Sequence, residues 1–360
     1  MDNQITIRNS IFSDLDNHDI DFNKQLILTL QDVSLYNSIQ LCLVENDNGE
    51  YCYDEISNLG MLYMFIHDNS RPNRSERTKI EYIRELIQFF KWIQNLLRIT
   101  DIRNLHRKDC DKYQLFIINK YKRQTTQQKK CVVVKSFLDW CYRKEYIKRN
   151  LTLGFYSIRI DKEQIPERDI QKSNITIALE KLNNQPKFKS LLLLLGTTGM
   201  RLNEVITPKW RDVYWDEKRK NVYLKTLTKG RKIRHVLLKE YVLHEIQEYR
   251  LRVGLQSELD PYDETPFFPN RYGRHYRLTS LSTSFSKKMA EIGLVTECGG
   301  RITPHFMRHF FAQEAYDAGA STDNIADTLQ HSDPKITKSN YLKRQLQKEH
   351  DVSVFVDLNI

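Results

Sequence analysis

A chain of 360 residues exceeds what one hydrophobic core comfortably serves and suits two or three domains. With 40% apolar and 28% charged residues it reads as an ordinary globular protein, and no stretch approaches the roughly eighteen apolar residues of a membrane helix. The net charge of +10 is uneven: residues 1–60 set Arg8 and Lys24 against eleven acids, so that stretch carries −9 and residues 61–360 carry +19. A basic body of this kind suits a polyanionic partner such as DNA or RNA, against the plainer reading of a solvated lysine surface. The start, MDNQITIRNS, has no basic segment leading into an apolar run, and the expected setting is the cytoplasm. The six cysteines (42, 52, 110, 131, 141 and 298) contain no CxxC and suggest neither a disulfide framework nor a zinc site. Cys131 and Cys141 fall in an apolar helical pattern and read as packed thiols.

In chain order, residues 1–60 read as a small acidic accessory region. ILTLQDV (27–33) and IQLCLVEN (39–46) are expected as strands, and Asn48-Gly49 as a hairpin turn. Residues 61–155 turn helical. After a polar break at 68–75, TKIEYIRELIQFFKWIQNLL places apolar residues at 80, 83, 87, 90, 93 and 97, one helical face. A second helix is expected over 107–120. The polar YKRQTTQQKK then reads as a connection, and VVVKSFLDWCYRKEYI as a further helix ended by Asn150. Lys120, Lys122, Arg123, Lys129 and Lys130 give this bundle basic edges, either solvated faces or a grip on a polyanion. Residues 156–173 form a polar, proline-containing linker.

A larger domain is expected over 174–350. Helices are predicted at 174–183 and 187–197, another from Arg201, and strands at 213–215, 222–224 and 233–238, with Lys229-Gly230 in the last turn. Helices follow at 241–251, 280–292, 305–318 (stopped by Gly319), 322–329 (Ser321 as N-cap) and 335–347. LLLLL at 191–195 reads as core, and residues 351–360 as a tail with an apolar pattern.

His305 and Arg308 stand three apart in a predicted helix and so share a face, from which both can address one anion. Breaking a phosphodiester without a metal requires a nucleophile in line with the leaving oxygen, positive charge on the nonbridging oxygens and a proton for the leaving alkoxide. Arginine meets the second need, because its rigid fork makes paired charged hydrogen bonds and keeps its proton. Lysine or histidine meets the third. Arg201 and Arg308 are candidates for the oxygens, Lys229, His305 and His331 for proton work, and Tyr341 for the nucleophile. Each has a plain alternative: a surface arginine, a charged hairpin turn, a packed histidine, or one tyrosine among 19. The order and spacing of the set carry the reading.

That set resembles the tyrosine recombinases of the phage integrase family. Thr198-Gly-Met-Arg201-Leu-Asn-Glu204 resembles the family's TGxRxxE box. Thr228-Lys229-Gly-Arg-Lys-Ile-Arg234 resembles its lysine hairpin, Pro304-His305-Phe-Met-Arg308-His309 its HxLRH box, and Leu329-Gln-His331-Ser-Asp its LGHSD box. The resemblance implies catalytic roles for Arg201, Lys229, His305, Arg308, His331 and Tyr341. It also implies a mainly α fold with a small antiparallel sheet, in which an N-terminal helical core-binding domain (61–155) precedes an α+β catalytic domain. No cofactor or metal enters those roles. Tyr341 would form a 3′-phosphotyrosyl link and free a 5′-hydroxyl. The implied partners are double-stranded DNA with specific recombination sites, sister subunits in a tetramer on two sites, and accessory proteins; no membrane is involved. A mobile element is the expected setting, with nucleoid association when DNA is bound. Relaxation of the type IB topoisomerase kind, and a DNA-binding regulator that does not cleave, are the rival readings. The chain departs from the pattern twice. Gln330 stands at the usual glycine, tolerable if the backbone needs no positive φ there, and His331 and Tyr341 are ten apart instead of nine.

Overall fold

A computed structural model describes residues 24–34, 36, 43–45, 51–53, 56–68, 74–160, 169–228, 232–330 and 337. The chain divides into two units, residues 1–162 and 163–360, each around a hydrophobic core of its own.

The first unit contains α1 (Lys24–Gln31), a short hairpin of β1 (Val44–Glu45) and β2 (Tyr51–Cys52), α2 (Asn58–His67), α3 (Glu76–Leu97), α4 (Arg107–Lys120) and α5 (Gln124–Arg143). Serine oxygens start two of these helices: Ser57 accepts from the Gly60 amide and Ser75 from the Thr78 amide. Every residue of α2 from Leu59 to His67 is buried, which makes it the axis of the unit. On α3 the expected stripe is real, with Ile83, Ile87, Phe90 and Ile93 buried. α3 ends where Arg98 turns left-handed at φ 57°.

Three expectations fail here. ILTLQDV is helical over most of its length. Leu26 and Leu30, four apart, are buried while Leu28 is 51% exposed, a helical period that an unbroken apolar run cannot announce. The polar QTTQQKK is the first two turns of α5. Gln127 is buried and donates to the carbonyls of Ile118 and Tyr121, closing the end of α4 at 3.2 and 2.6 Å. Lys130 pairs with Glu85 of α3 at 2.6 Å, and Lys129 pairs with Glu81. Two of the five basic-edge residues therefore hold helices together. α5 stops at Arg143, and Asn150 caps the following turn by accepting from the Thr152 amide at 3.1 Å. Leu26, Leu30, Tyr36, Leu43, Tyr53 and Ile56, all from the acidic first 60 residues, belong to the same core as α2–α5.

In the second unit, α6 (Lys172–Lys181), α7 (Pro186–Thr198) and α8 (Leu202–Ile206) lead into a sheet of β3 (Val213–Asp216), β4 (Asn221–Leu227) and β5 (Ile233–Leu238). The sheet is antiparallel in the order β3-β4-β5, and its register sets Val213, Leu224 and Val236 side by side facing the core. α9 (Glu240–Arg252), α10 (Leu278–Glu291), α11 (Pro304–Asp317) and α12 (Thr322–Thr328) complete it. The leucine run of α7 is core: Leu191, Leu192, Leu194 and Leu195 are each fully buried. Gly319 at φ 91° and Ser321, accepting from the Asn324 amide, separate α11 from α12 as expected. The architecture is the expected one, mainly helical with a small antiparallel sheet.

Arg250 lies wholly buried against the Trp210 ring, 4.0 Å from its centroid, and binds Asp263, Thr265 and the carbonyls of Gln256 and Pro266. Burial pulls its guanidinium down to about 10, opposed by Asp263. Among the described residues no helix is long and apolar enough to cross a membrane. Of the two cysteines read as packed thiols, both are buried, and burial pushes Cys131 up to about 11. The turns at Asn48-Gly49 and Lys229-Gly230, the middle of the linker, the helix over 335–347 (except Thr337) and the tail lie outside the described residues.

Phe137 is fully buried, edge-on to Phe65 at 5.3 Å and to Phe90 at 5.8 Å. Phe137→Ala should destabilise the first unit by about 3–5 kcal/mol. In urea unfolding of the full chain the far-ultraviolet transition should split, the first unit melting earlier.

Candidate active site

The site begins with a buried carboxylate. Glu204 is 1% exposed and sits on α8, three residues after Arg201. One oxygen accepts from Arg201 Nη1 at 2.9 Å; the other accepts from the Arg201 amide at 3.2 Å and from Arg234 Nη1 at 2.9 Å. The carboxylate thus caps its own helix and fixes the arginine before it. Arg234, on the inward face of β5, is 5% exposed and also donates to the Thr198 carbonyl at 2.7 Å. Burial lowers its guanidinium below the usual value, and the Glu204 carboxylate opposes that shift. Thr226 of β4 donates to the Glu204 carbonyl at 2.9 Å. One glutamate therefore joins the end of α7, the start of α8 and two strands, and leaves the Arg201 side chain 35% exposed.

Arg308, on α11, is 1% exposed and performs a second tie. Its Nη1 donates to the Gly199 carbonyl at 2.7 Å and its Nη2 to the Leu329 carbonyl. Gly199 ends α7 at φ 59°, and a Cβ there would lie 2.5 Å from the Phe311 ring and 2.8 Å from Leu329. Only glycine fits both the left-handed backbone and the space.

These ties bring Arg201, His305 and Arg308 to one cavity of about 330 Å³, walled also by Asn203, Ser282 and Thr303. His305 is exposed at the first turn of α11 and meets the buried His309 edge-on at 5.1 Å. A histidine and an arginine three apart do face a common space, as their spacing predicts. A hundred residues of chain separate them from Arg201. Lys229, His331 and Tyr341 lie outside the described residues.

Glu204 and Arg234 were legible in part. A glutamate at the third position of a helix is a capping signal. Arg234 alternates with Val236 and Leu238 on the inward face of a strand, which calls for a buried partner.

The described architecture, helices around a three-stranded antiparallel sheet with arginines and a histidine on one cavity, is that of a tyrosine-recombinase catalytic domain. Residues 168–348 match the model of the phage integrase family. The tyrosine recombinase XerC of Pediococcus pentosaceus is 22% identical over 282 residues, covering 77% of this chain and 91% of that protein. XerC of Chlamydia caviae is 26% identical over 244 residues, covering 66% and 75%. Among solved structures, a lambda integrase dimer bound to a COC′ core site shares the fold with a TM-score of 0.61 at 14% identity, over 79% of this chain and 76% of that one. The Tn1549 transposon integrase in complex with circular intermediate DNA gives 0.60 at 17% identity, over 78% and 94%. The chain belongs to the phage integrase family, whose members are tyrosine site-specific recombinases.

Glu204→Gln keeps the shape and removes the charge, leaving Arg234 buried without its counter-ion. The variant should lose about 3–5 kcal/mol of stability in the second unit, read by thermal unfolding of the full chain. Gly199→Ala should also destabilise, by about 1–3 kcal/mol, and lower the melting temperature.

Proposed function

We propose that the chain exchanges strands between specific sites in double-stranded DNA, with Tyr341 as nucleophile and Arg201, Lys229, His305, Arg308 and His331 as its catalytic partners. The tyrosine oxygen attacks the scissile phosphorus as its own proton passes to solvent, and the bond to the 5′-oxygen breaks as that to tyrosine forms. Arg201 and Arg308 hold the nonbridging oxygens, where charge gathers in the transition state. A guanidinium offers five donors in a fixed fork, so it can be anchored by some and present others to an oxyanion. His305 and His331 assist on the same oxygens, and Lys229 gives its proton to the departing 5′-oxygen. The phosphoester is exchanged and not hydrolysed, so attack by another strand's 5′-hydroxyl reverses the step without external energy.

The observation that carries this reading is the convergence of Arg201, His305 and Arg308 on one cavity. It gives the oxygens of one phosphate a cationic face, built from stretches far apart in sequence. The charge of +19 beyond residue 60 supports a long DNA contact. The reading extends to a tetramer on two sites, with residues 351–360 docking on a sister subunit and accessory proteins joining the complex. A mobile element is the proposed setting: 77% of this chain covers 91% of the Pediococcus recombinase, so this chain carries sequence beyond what that relative matches. The cytoplasm, with nucleoid association through DNA, is the matching location.

On nicked suicide DNA carrying a recombination site, the wild-type chain should form a covalent adduct stable to denaturant, and Tyr341→Phe none. Absence of the adduct from wild type would leave a non-cleaving DNA-binding regulator; relaxation of plasmid without any special site would indicate the topoisomerase chemistry. Arg201→Lys should slow single-turnover cleavage roughly 10²-fold, because a point charge cannot replace the fork.

A further inference from the structure

Gln330, just after α12, reaches across to the β4–β5 hairpin. Its backbone is left-handed at φ 49°, a conformation glycine adopts freely and other residues avoid. The condition under which glutamine would be an idle replacement for glycine therefore does not hold. Its side chain is engaged on both sides of the hairpin base. Oε1 accepts from the Thr228 hydroxyl at 2.7 Å, and Nε2 donates to the Ile233 carbonyl at 3.2 Å. The opposite amide orientation would set oxygen against the Ile233 carbonyl, so the two bonds fix the side chain in one sense. Thr228 and Lys232 close the base of that hairpin, the Thr228 amide donating to the Lys232 carbonyl at 2.9 Å. Residue 229 is covalently next to the threonine that Gln330 grips. One peptide earlier, the Leu329 carbonyl accepts from Arg308. A continuous path of bonds thus runs from Arg308 through Leu329 and Gln330 to the hairpin base.

We propose that Gln330 is a positioning residue for the proton transfer assigned to Lys229: it clamps the base of the β4–β5 hairpin, at Thr228 and Ile233, to the end of α12, which Arg308 also binds. A glycine at this position leaves the hairpin without that clamp. The proposal rests on the reading of Lys229 as the acid for the 5′-oxygen. A merely structural glutamine would behave differently, because replacing a left-handed glutamine by glycine removes backbone strain even as it removes two hydrogen bonds.

The test compares wild type, Gln330→Gly and Lys229→Ala, all as the full chain, on two suicide DNA substrates. One has the ordinary bridging 5′-oxygen at the scissile phosphate and the other a bridging 5′-sulfur, whose thiolate leaves without a proton. Gln330→Gly should cleave the oxygen substrate about tenfold more slowly than wild type, the scale of one or two lost hydrogen bonds. It should match wild type on the sulfur substrate, with an unchanged or raised melting temperature. Equal rates on the oxygen substrate, or the same deficit on both, would overturn the role of Gln330. Lys229→Ala separates the two claims. If sulfur restores Lys229→Ala but not Gln330→Gly, Gln330 alone is misassigned. If sulfur does not restore Lys229→Ala, lysine is not the acid and the positioning role falls with it.

Discussion

The carboxylate of Glu204 is the interaction on which the second unit's site depends. A buried carboxylate without partners would be driven to its neutral form, and a buried guanidinium is costly for the same reason. Here each makes the other tolerable. Glu204 binds Arg201 and Arg234, and Arg234 reaches on to the Thr198 carbonyl. The ends of two helices and two strands of the sheet are fixed relative to one charge. Such a pair contributes little net stability compared with a well-packed apolar substitute, but it demands a single arrangement. The partly exposed Arg201 side chain, bound to the same carboxylate, inherits that arrangement.

Arg308 applies the same logic to the chain's later part. It is nearly inaccessible, yet it borders the cavity, and its two terminal nitrogens bind the carbonyls of Gly199 and Leu329. The Gly199 carbonyl belongs to the turn that precedes Arg201, so the two arginines are referred to the same few atoms of backbone. Removing Arg308 would therefore disturb geometry as well as charge. The first unit uses its cations differently. Lys129 and Lys130 are committed to Glu81 and Glu85, whereas Lys120, Lys122 and Arg123 are exposed between α4 and α5.

Much of this was legible from residue order. Ile233–Leu238 and Arg107–Lys120 fall where alternation and helical period put them, because each has one face in a core and one in solvent. Where that contrast is missing, the reading fails. Residues 26–30 are nearly all apolar, so helix and strand patterns are equally satisfied, and the surrounding core chose the helix. QTTQQKK has no apolar face, and its helix is held by Gln127 on α4 and by lysines on α3, contacts that local sequence does not encode. Gln330 looked like a tolerated exception to glycine. Its left-handed backbone and its grip on Thr228 and Ile233 depend on a hairpin about a hundred residues earlier.

The sequence by itself determined the elements with one apolar face and the spacing of His305 and Arg308, because side-chain type and short-range spacing suffice for those; the fold class was what the resemblance to the phage integrase family implied. His305 and Arg308 face one space since three residues is nearly one helical turn. Tertiary structure decided what joins them: that Arg201 meets the same cavity, that Glu204 and Arg234 hold it there, and that Arg308 is a tie between backbones as well as a charge. Those outcomes turn on which buried charges find partners across long stretches of chain, and desolvation is settled only when the whole domain has closed around them.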